Sequence, residues 1–279
     1  MRVLVMLDGT LADPDQPQLR VDDLGLVRGD GIFETILVVD GKPRELGPHL
    51  DRMARSAAML DLPAPDRDAF TRCVNTVLDN WTARECALKL VYTRGIDGGD
   101  GTPTGFALGM DIPATTLRHR AEGIAAITLD RGIEPGIAER APWLLLGAKS
   151  LSYAVNMAAL REAARRGANE VIFTEAGERI LEGPTSAVVV VEGHTLRTPP
   201  TVMGILPGTT QHALFRAAEK AGWAVKVEPI GVADLTEADA VLFASSVRKI
   251  TRVHTLDGVP LRDSTALHAE LAALYESEY

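Results

Sequence analysis

The apolar residues of this chain follow two different periods, and each change of period marks an element. Residues 2–7 and 32–39 are apolar, β-prone runs, and Asp40-Gly41 after the second is a hairpin signal. Leu50, Met53, Ala57 and Leu60 recur at helical spacing, which predicts a helix over 47–60, and a second helix is predicted over 66–81. Strands are predicted over 86–93 and 104–111. The glycine-rich loop from Gly95 to Gly101 joins them, and it must either be mobile or approach another group closely. After Pro113 the pattern restarts with a strand over 123–130, an alanine-rich helix over 150–166 and strands over 169–174 and 186–191. Pro207-Gly208 introduces a helix over 209–221; strands over 224–228 and 240–244 and a helix over 264–276 follow. Strands and helices mix without regular βαβ alternation, so the expected class is α+β with largely antiparallel sheets. The restart places a domain boundary near 113–121. The expected division is a domain over 1–115, a linker over 116–122 and a domain over 123–279.

Composition narrows the possible functions. The 279 residues are 46% apolar and 24% charged, as in ordinary globular proteins. Lys and Arg number 29 against 38 Asp and Glu, a net charge of −9. That balance argues against a general binder of nucleic acid or anionic membrane, which needs a positive field. A single small anion in a local basic pocket is still compatible with it. Cys73 and Cys86 form no CxxC pair and no disulfide framework, which fits a reducing, cytoplasmic setting. No apolar run approaches the ~18–20 residues that span a bilayer, and Asp8 comes too early for a signal peptide.

Several motif-like stretches fail on inspection. Gly29-Asp30-Gly31 opens like a dinucleotide fingerprint, but Glu34 stands at the third glycine position and a strand follows, not a helix. Gly147-Ala148-Lys149-Ser150 resembles the tail of a phosphate loop but lacks the glycine directly before the lysine. The histidines show no HExxH spacing for a catalytic zinc, and there is no GxSxG elbow.

Four features could carry chemistry, and each also has an ordinary structural reading. Only six lysines are present, so a chemically required one is easy to seek. Lys149 follows an apolar segment and opens a helix-like stretch. Partial desolvation beside a positive helix end would lower its pKa, as an imine-forming amine requires; the ordinary alternative is a surface lysine. Glu182, just before a very apolar strand, could face a ring nitrogen, or be a turn acid at a strand edge. Gly204 to Thr210 leads into a helix whose N-terminal N–H groups and two hydroxyls could cradle a dianion, or simply be capped. Arg52 lies on the helix face of His49 and suits a phosphate, although a surface arginine is the commoner outcome. Together they supply the parts that pyridoxal 5′-phosphate needs.

In this order, the residues resemble the class IV (fold-type IV) pyridoxal-phosphate enzymes. The resemblance spans nearly the whole chain. It rests on Arg28 to Thr35, His49 to Arg52, Leu88 to Gly95, Lys149 to Ser152, Asn169 to Val171, Leu181 to Gly183 and Gly204 to Gly208. It implies a homodimer of two-domain subunits, a small N-terminal and a larger C-terminal domain with the site between them. By the resemblance Lys149 carries the cofactor and moves the proton, and Glu182 pairs with the pyridine nitrogen. Arg52, the backbone around Leu206, Thr209, Thr210 and Ser246 hold the phosphate, and Tyr153 approaches the phenolic oxygen.

Substrate contacts separate the branches of this family. Phe33 stands where D-amino-acid transaminases carry a tyrosine, and the stretch Ile96 to Pro103 has no Arg-x-His trap. The Leu88-Lys89 to Thr93-Arg94-Gly95 strand, with its glycine-rich loop, is similar to 4-amino-4-deoxychorismate lyase. That branch implies Lys89 and Arg94 as substrate-carboxylate partners, although strand alternation does not put them on one face, and Thr35 as a proton relay. Lys149-Ser150-Leu151-Ser152 is equally similar to D-amino-acid transaminases. The implied activity is lysis of 4-amino-4-deoxychorismate to 4-aminobenzoate and pyruvate for folate synthesis. A D-amino-acid (D-alanine) transaminase is the alternative or a second activity, and a branched-chain transaminase comes after it.

Overall fold

Gly31–Val39 is the strand around which the first part of the molecule is built. In the computed structural model, which describes all of residues 1–279, it pairs antiparallel with Glu85–Thr93 along its whole length. Thr104–Met110 and Arg2–Met6 continue this antiparallel sheet, and Leu11–Ala12 and Lys42–Pro43 form its short edges. Period-two alternation sorts the side chains onto two faces. Ile32, Glu34, Ile36, Leu88, Leu90 and Tyr92 turn toward the helices Leu46–Met59 and Arg67–Asp79, where Phe70 meets Tyr92 edge-on. Phe33, Thr35 and Lys89 occupy the opposite face; Thr35 and Lys89 are directly opposite each other across the two strands.

The chain divides into two compact units, Met1–Pro113 with Ala148–Tyr153, and Ala114–Gly147 with Ala154–Tyr279. The second unit holds a nine-stranded mixed sheet. Its central strands are Ala187–Glu192, Ala240–Ser245, Lys249–Leu256, Ile124–Asp130 and Glu170–Glu175. Both faces are covered. Val189, Val191 and Leu242 pack with the helices Thr209–Lys220 and Thr265–Glu276, while Val188, Val190 and Phe243 face a second core with Ile172 and Leu235. Burial on both faces explains the unbroken apolar runs at 187–191 and 240–244. No helix is long and apolar enough to cross a membrane.

Three differences from the sequence reading have physical causes. Residues 116–122, expected as a linker, lie in the helix Ala114–Glu122. That helix buries no residue, so it leaves no apolar period to detect; it is anchored by Arg120, whose guanidinium donates to the Val247 carbonyl. The helix expected from 150 begins at Ala154. Residues 149–151 instead run beside the start of Gly31–Val39: Phe33 N–H donates to Lys149 C=O at 3.0 Å and Leu151 N–H to Gly31 C=O at 2.8 Å. The strand Lys249–Leu256 shows no apolar run in the sequence, because polar residues interrupt its apolar ones.

Candidate active site

The first unit seats Lys149 by backbone pairing. Ser150 opposes Ile32, so Lys149 and Leu151 turn to the other face, toward Phe33. Lys149 Nζ lies 4.5 Å from the centre of the Phe33 ring and 5.8 Å from that of Tyr153, and the two rings meet edge-on at 5.2 Å. Ser56 Oγ accepts the Lys149 N–H at 3.1 Å. The glycines of Gly29-Asp30-Gly31 make room for this segment. A Cβ on Gly31 would meet Leu151 Cδ1 at 2.8 Å, and one on Gly29, whose φ is +68°, would meet Ser152 Oγ at 2.7 Å. Lys149 therefore sits on an extended segment and not at the helix end expected from the sequence, and aromatic rings form its local surroundings.

Lys89 Nζ lies 5.0 Å from the centre of the same Phe33 ring. Burial pushes its ammonium below the ordinary lysine range, and no carboxylate pairs with it. Arg94 is placed differently. Its Nε and Nη2 clasp Asp30 at 2.6 and 3.1 Å, and it also donates to the carbonyls of Leu60 and Asp61.

Arg52 belongs to a buried charged cluster that the sequence did not disclose. Its Nε and Nη2 donate to Glu34 at 2.8 and 2.6 Å, and His49 Nδ1 lies 2.7 Å from Glu34 Oε2. Burial alone would push the Glu34 carboxyl up. The Arg52 guanidinium, with support from His49, outweighs that and holds it at about 2. Burial, against the pull of Glu34, pushes the His49 imidazole below its ordinary value. Glu34 was detectable only as a charge inside an apolar run.

The second unit gathers the remaining expected residues at one end of its sheet. Glu182 Oε2 accepts the Leu206 N–H at 3.0 Å, and Oε1 accepts from Arg131 Nη1 at 3.3 Å. Gly208 is the N-cap of Thr209–Lys220 and supplies no capping side chain; Thr209 and Thr210 are buried in the first turn. A Cβ on Gly208 would meet Ala187 Cβ at 3.0 Å. Ala187 pairs with Ala244, in the strand that leads into the turn at 246–248 and its half-buried Ser246. That turn is tied down by Arg248, which donates to the fully buried Glu170 and to Thr185 and Ser186. Asn156 Nδ2 holds the Pro184 carbonyl at 2.7 Å. Arg131, Asn156 and Arg248 were not singled out in the sequence, because their partners lie far away along the chain.

An amine beside aromatic rings, a hydrogen-bonded carboxylate and a helix start with buried hydroxyls form a set that one known class of enzymes combines. The chain belongs to the class IV aminotransferase family, whose model matches residues 31–256. It is a pyridoxal-phosphate-dependent enzyme. It is 43% identical over 281 residues to a Mycobacterium tuberculosis protein named bifunctional aminodeoxychorismate lyase / D-amino acid transaminase, with 96% of this chain and 97% of that one covered. Among solved structures, a hypothetical aminotransferase from Mycobacterium tuberculosis in its PLP-bound form superposes with a TM-score of 0.95 at 43% identity, covering 99% of this chain and 98% of that one. The fold IV transaminase CpuTA1 from Curtobacterium pusillum gives 0.93 at 43% identity, covering 99% of each chain.

The residues fit that cofactor. Glu182 has both oxygens fixed by donors, as an acid that must meet a ring nitrogen in one orientation requires. The first turn of Thr209–Lys220 offers a phosphate backbone N–H groups and two hydroxyls.

Proposed function

We propose that this enzyme converts 4-amino-4-deoxychorismate to 4-aminobenzoate and pyruvate, a step of folate synthesis, and transaminates D-amino acids such as D-alanine as a second activity. The observation that carries the reading is Lys89. A half-buried ammonium without a counter-ion, on the sheet face of Phe33 and Thr35, is suited to a substrate carboxylate, and this substrate has two. Arg94, engaged by Asp30 and two carbonyls, fixes the start of the Gly95 loop in this reading. The name of the Mycobacterium tuberculosis relative supports both activities.

Lys149 would hold the cofactor covalently through Nζ, and its amine would move the proton at the amine-bearing carbon of the substrate. Thr35 relays a proton on the same face. Phe33 and Tyr153 keep water from the lysine, and Tyr153 also serves the cofactor's phenolic oxygen. Glu182 meets the ring nitrogen. The first turn of Thr209–Lys220, with Thr209 and Thr210, holds the phosphate together with Ser246 and Arg52; the Leu206 N–H, which the sequence reading gave to the phosphate, is donated to Glu182 instead and orients that carboxylate. The cofactor supplies an electron sink. The same reading makes the protein a cytoplasmic homodimer. Trp143 and Val155 of the second unit are 74% and 66% exposed, and apolar side chains this open suit contact with a second copy.

The test is release of 4-aminobenzoate from 4-amino-4-deoxychorismate made in situ. The purified enzyme is expected to form it and Lys149→Ala to form none. Borohydride reduction of the parent should fix the cofactor on Lys149. Turnover of D-alanine with 2-oxoglutarate and no 4-aminobenzoate would leave only the transaminase.

A further inference from the structure

Arg131 stands against the carboxylate that the preceding reading gives to the ring nitrogen. Its N–H donates to the Thr174 carbonyl at 2.9 Å, just beyond the Asp130–Thr174 pair that ends two parallel strands. The guanidinium lies over Phe173, 5.4 Å from the ring centre, and Nη1 reaches Glu182 Oε1. Phe173 also donates its N–H to the Glu182 carbonyl at 3.0 Å. One residue thus supports both members of the ion pair, and Leu206 N–H fixes the second carboxylate oxygen. The pair is well shielded, with the Arg131 and Glu182 side chains 17% and 14% exposed.

A proton shared between a carboxylate and a ring nitrogen rests on one or the other. A guanidinium on the carboxylate side, charged at every working pH, favours the arrangement with the negative oxygen beside it and the proton on the nitrogen. The negative end of that pair is the nearer one, so attraction outweighs repulsion from the ring. We propose that Arg131 is a positioning residue that keeps Glu182 an ionised, oriented acceptor, so that the shared proton stays on the cofactor's pyridine ring. The inference rests on the assignment of Glu182 to that nitrogen.

The experiment loads the enzyme with pyridoxal phosphate labelled with 15N in the ring, reads the 15N chemical shift, and separately measures cofactor affinity of the apoenzyme. The parent is expected at the protonated position and Glu182→Gln at the unprotonated one. Arg131→Met should move toward the unprotonated position and bind the cofactor about tenfold more weakly, the cost of one charge-assisted contact. Arg131→Lys, which keeps the charge without the fork, should stay near the parent. A parent-like shift in Arg131→Met beside a displaced Glu182→Gln overturns the role of Arg131 alone. An unmoved Glu182→Gln overturns the Glu182 assignment, and this inference with it. If Arg131→Met does not fold, Arg131→Lys decides: a shift like that of Glu182→Gln sinks the proposal.

Discussion

Lys89 and Arg94 are neighbours in sequence with opposite surroundings. The Arg94 guanidinium is held by acceptors, whereas burial destabilises the Lys89 ammonium and no carboxylate offsets it. A charge-assisted contact is worth roughly 1.5–3 kcal/mol. Lys89→Met is therefore expected to raise KM for 4-amino-4-deoxychorismate by roughly tenfold or more while leaving kcat nearly unchanged. KM for D-alanine, which has no second carboxylate, should hardly move. Arg94→Met should act on the melting temperature first, because it leaves two carbonyls and Asp30 without their donor. Steady-state kinetics with both substrates, beside thermal melts, separates the two residues.

Among the elements, the strand Gly31–Val39 and the helix Leu46–Met59 are joined by a charged clasp as well as by apolar packing. Glu34→Gln would leave Arg52 buried against a neutral amide, and a loss of about 3–5 kcal/mol is expected from denaturant titration. The Glu34 carboxyl, at about 2 in the fold, lies below its ordinary value of 4.5. Its contribution is therefore complete above the ordinary carboxylate range and lost as pH falls from 4.5 toward 2. Melts against pH should show that acid slope in the parent and a shallower one in Glu34→Gln. Gly31→Ala would press a methyl group on Leu151 and the Tyr92 carbonyl, at about 1–3 kcal/mol, and shift the segment that presents Lys149. Its melt should drop together with the rate of cofactor attachment.

The same elements show what a sequence can reveal. The strand was legible as an apolar, β-prone run because both of its faces are buried, and the helix because it buries one face and so keeps its period. Lys149, Glu182 and Gly208 stood out because their residue types are unusual in their settings. The helix Ala114–Glu122 left no period to read. The course of residues 148–153 was hidden because their alanine-rich continuation reads as helix, while a remote strand edge decides their conformation. Arg131 was hidden for a related reason: its meaning lies in Glu182, and nothing beside it in sequence says so.

For the whole molecule, the two sheets differ in how much they need from outside. The second unit covers both faces of its sheet with its own helices, whereas the first packs its helices against one face. A homodimer that covers Trp143 or Val155 would remove about 800 Å² per partner. Sedimentation of the parent should then give a dimer, and Trp143→Asp should shift it toward monomer; an unshifted dimer would place the contact elsewhere.

Because residues 148–153 belong to the first unit, the order in which the ribosome delivers the chain also matters. The first 113 residues can pair their strands as soon as they emerge, but the edge beside Gly31–Phe33 stays open until the piece carrying Lys149 arrives. Exposed strand edges are where nascent chains stick to one another. The lysine to which the proposal gives the cofactor is thus also the one whose arrival closes the vulnerable edge, and a chain stalled before it would lack that amine and be prone to aggregate.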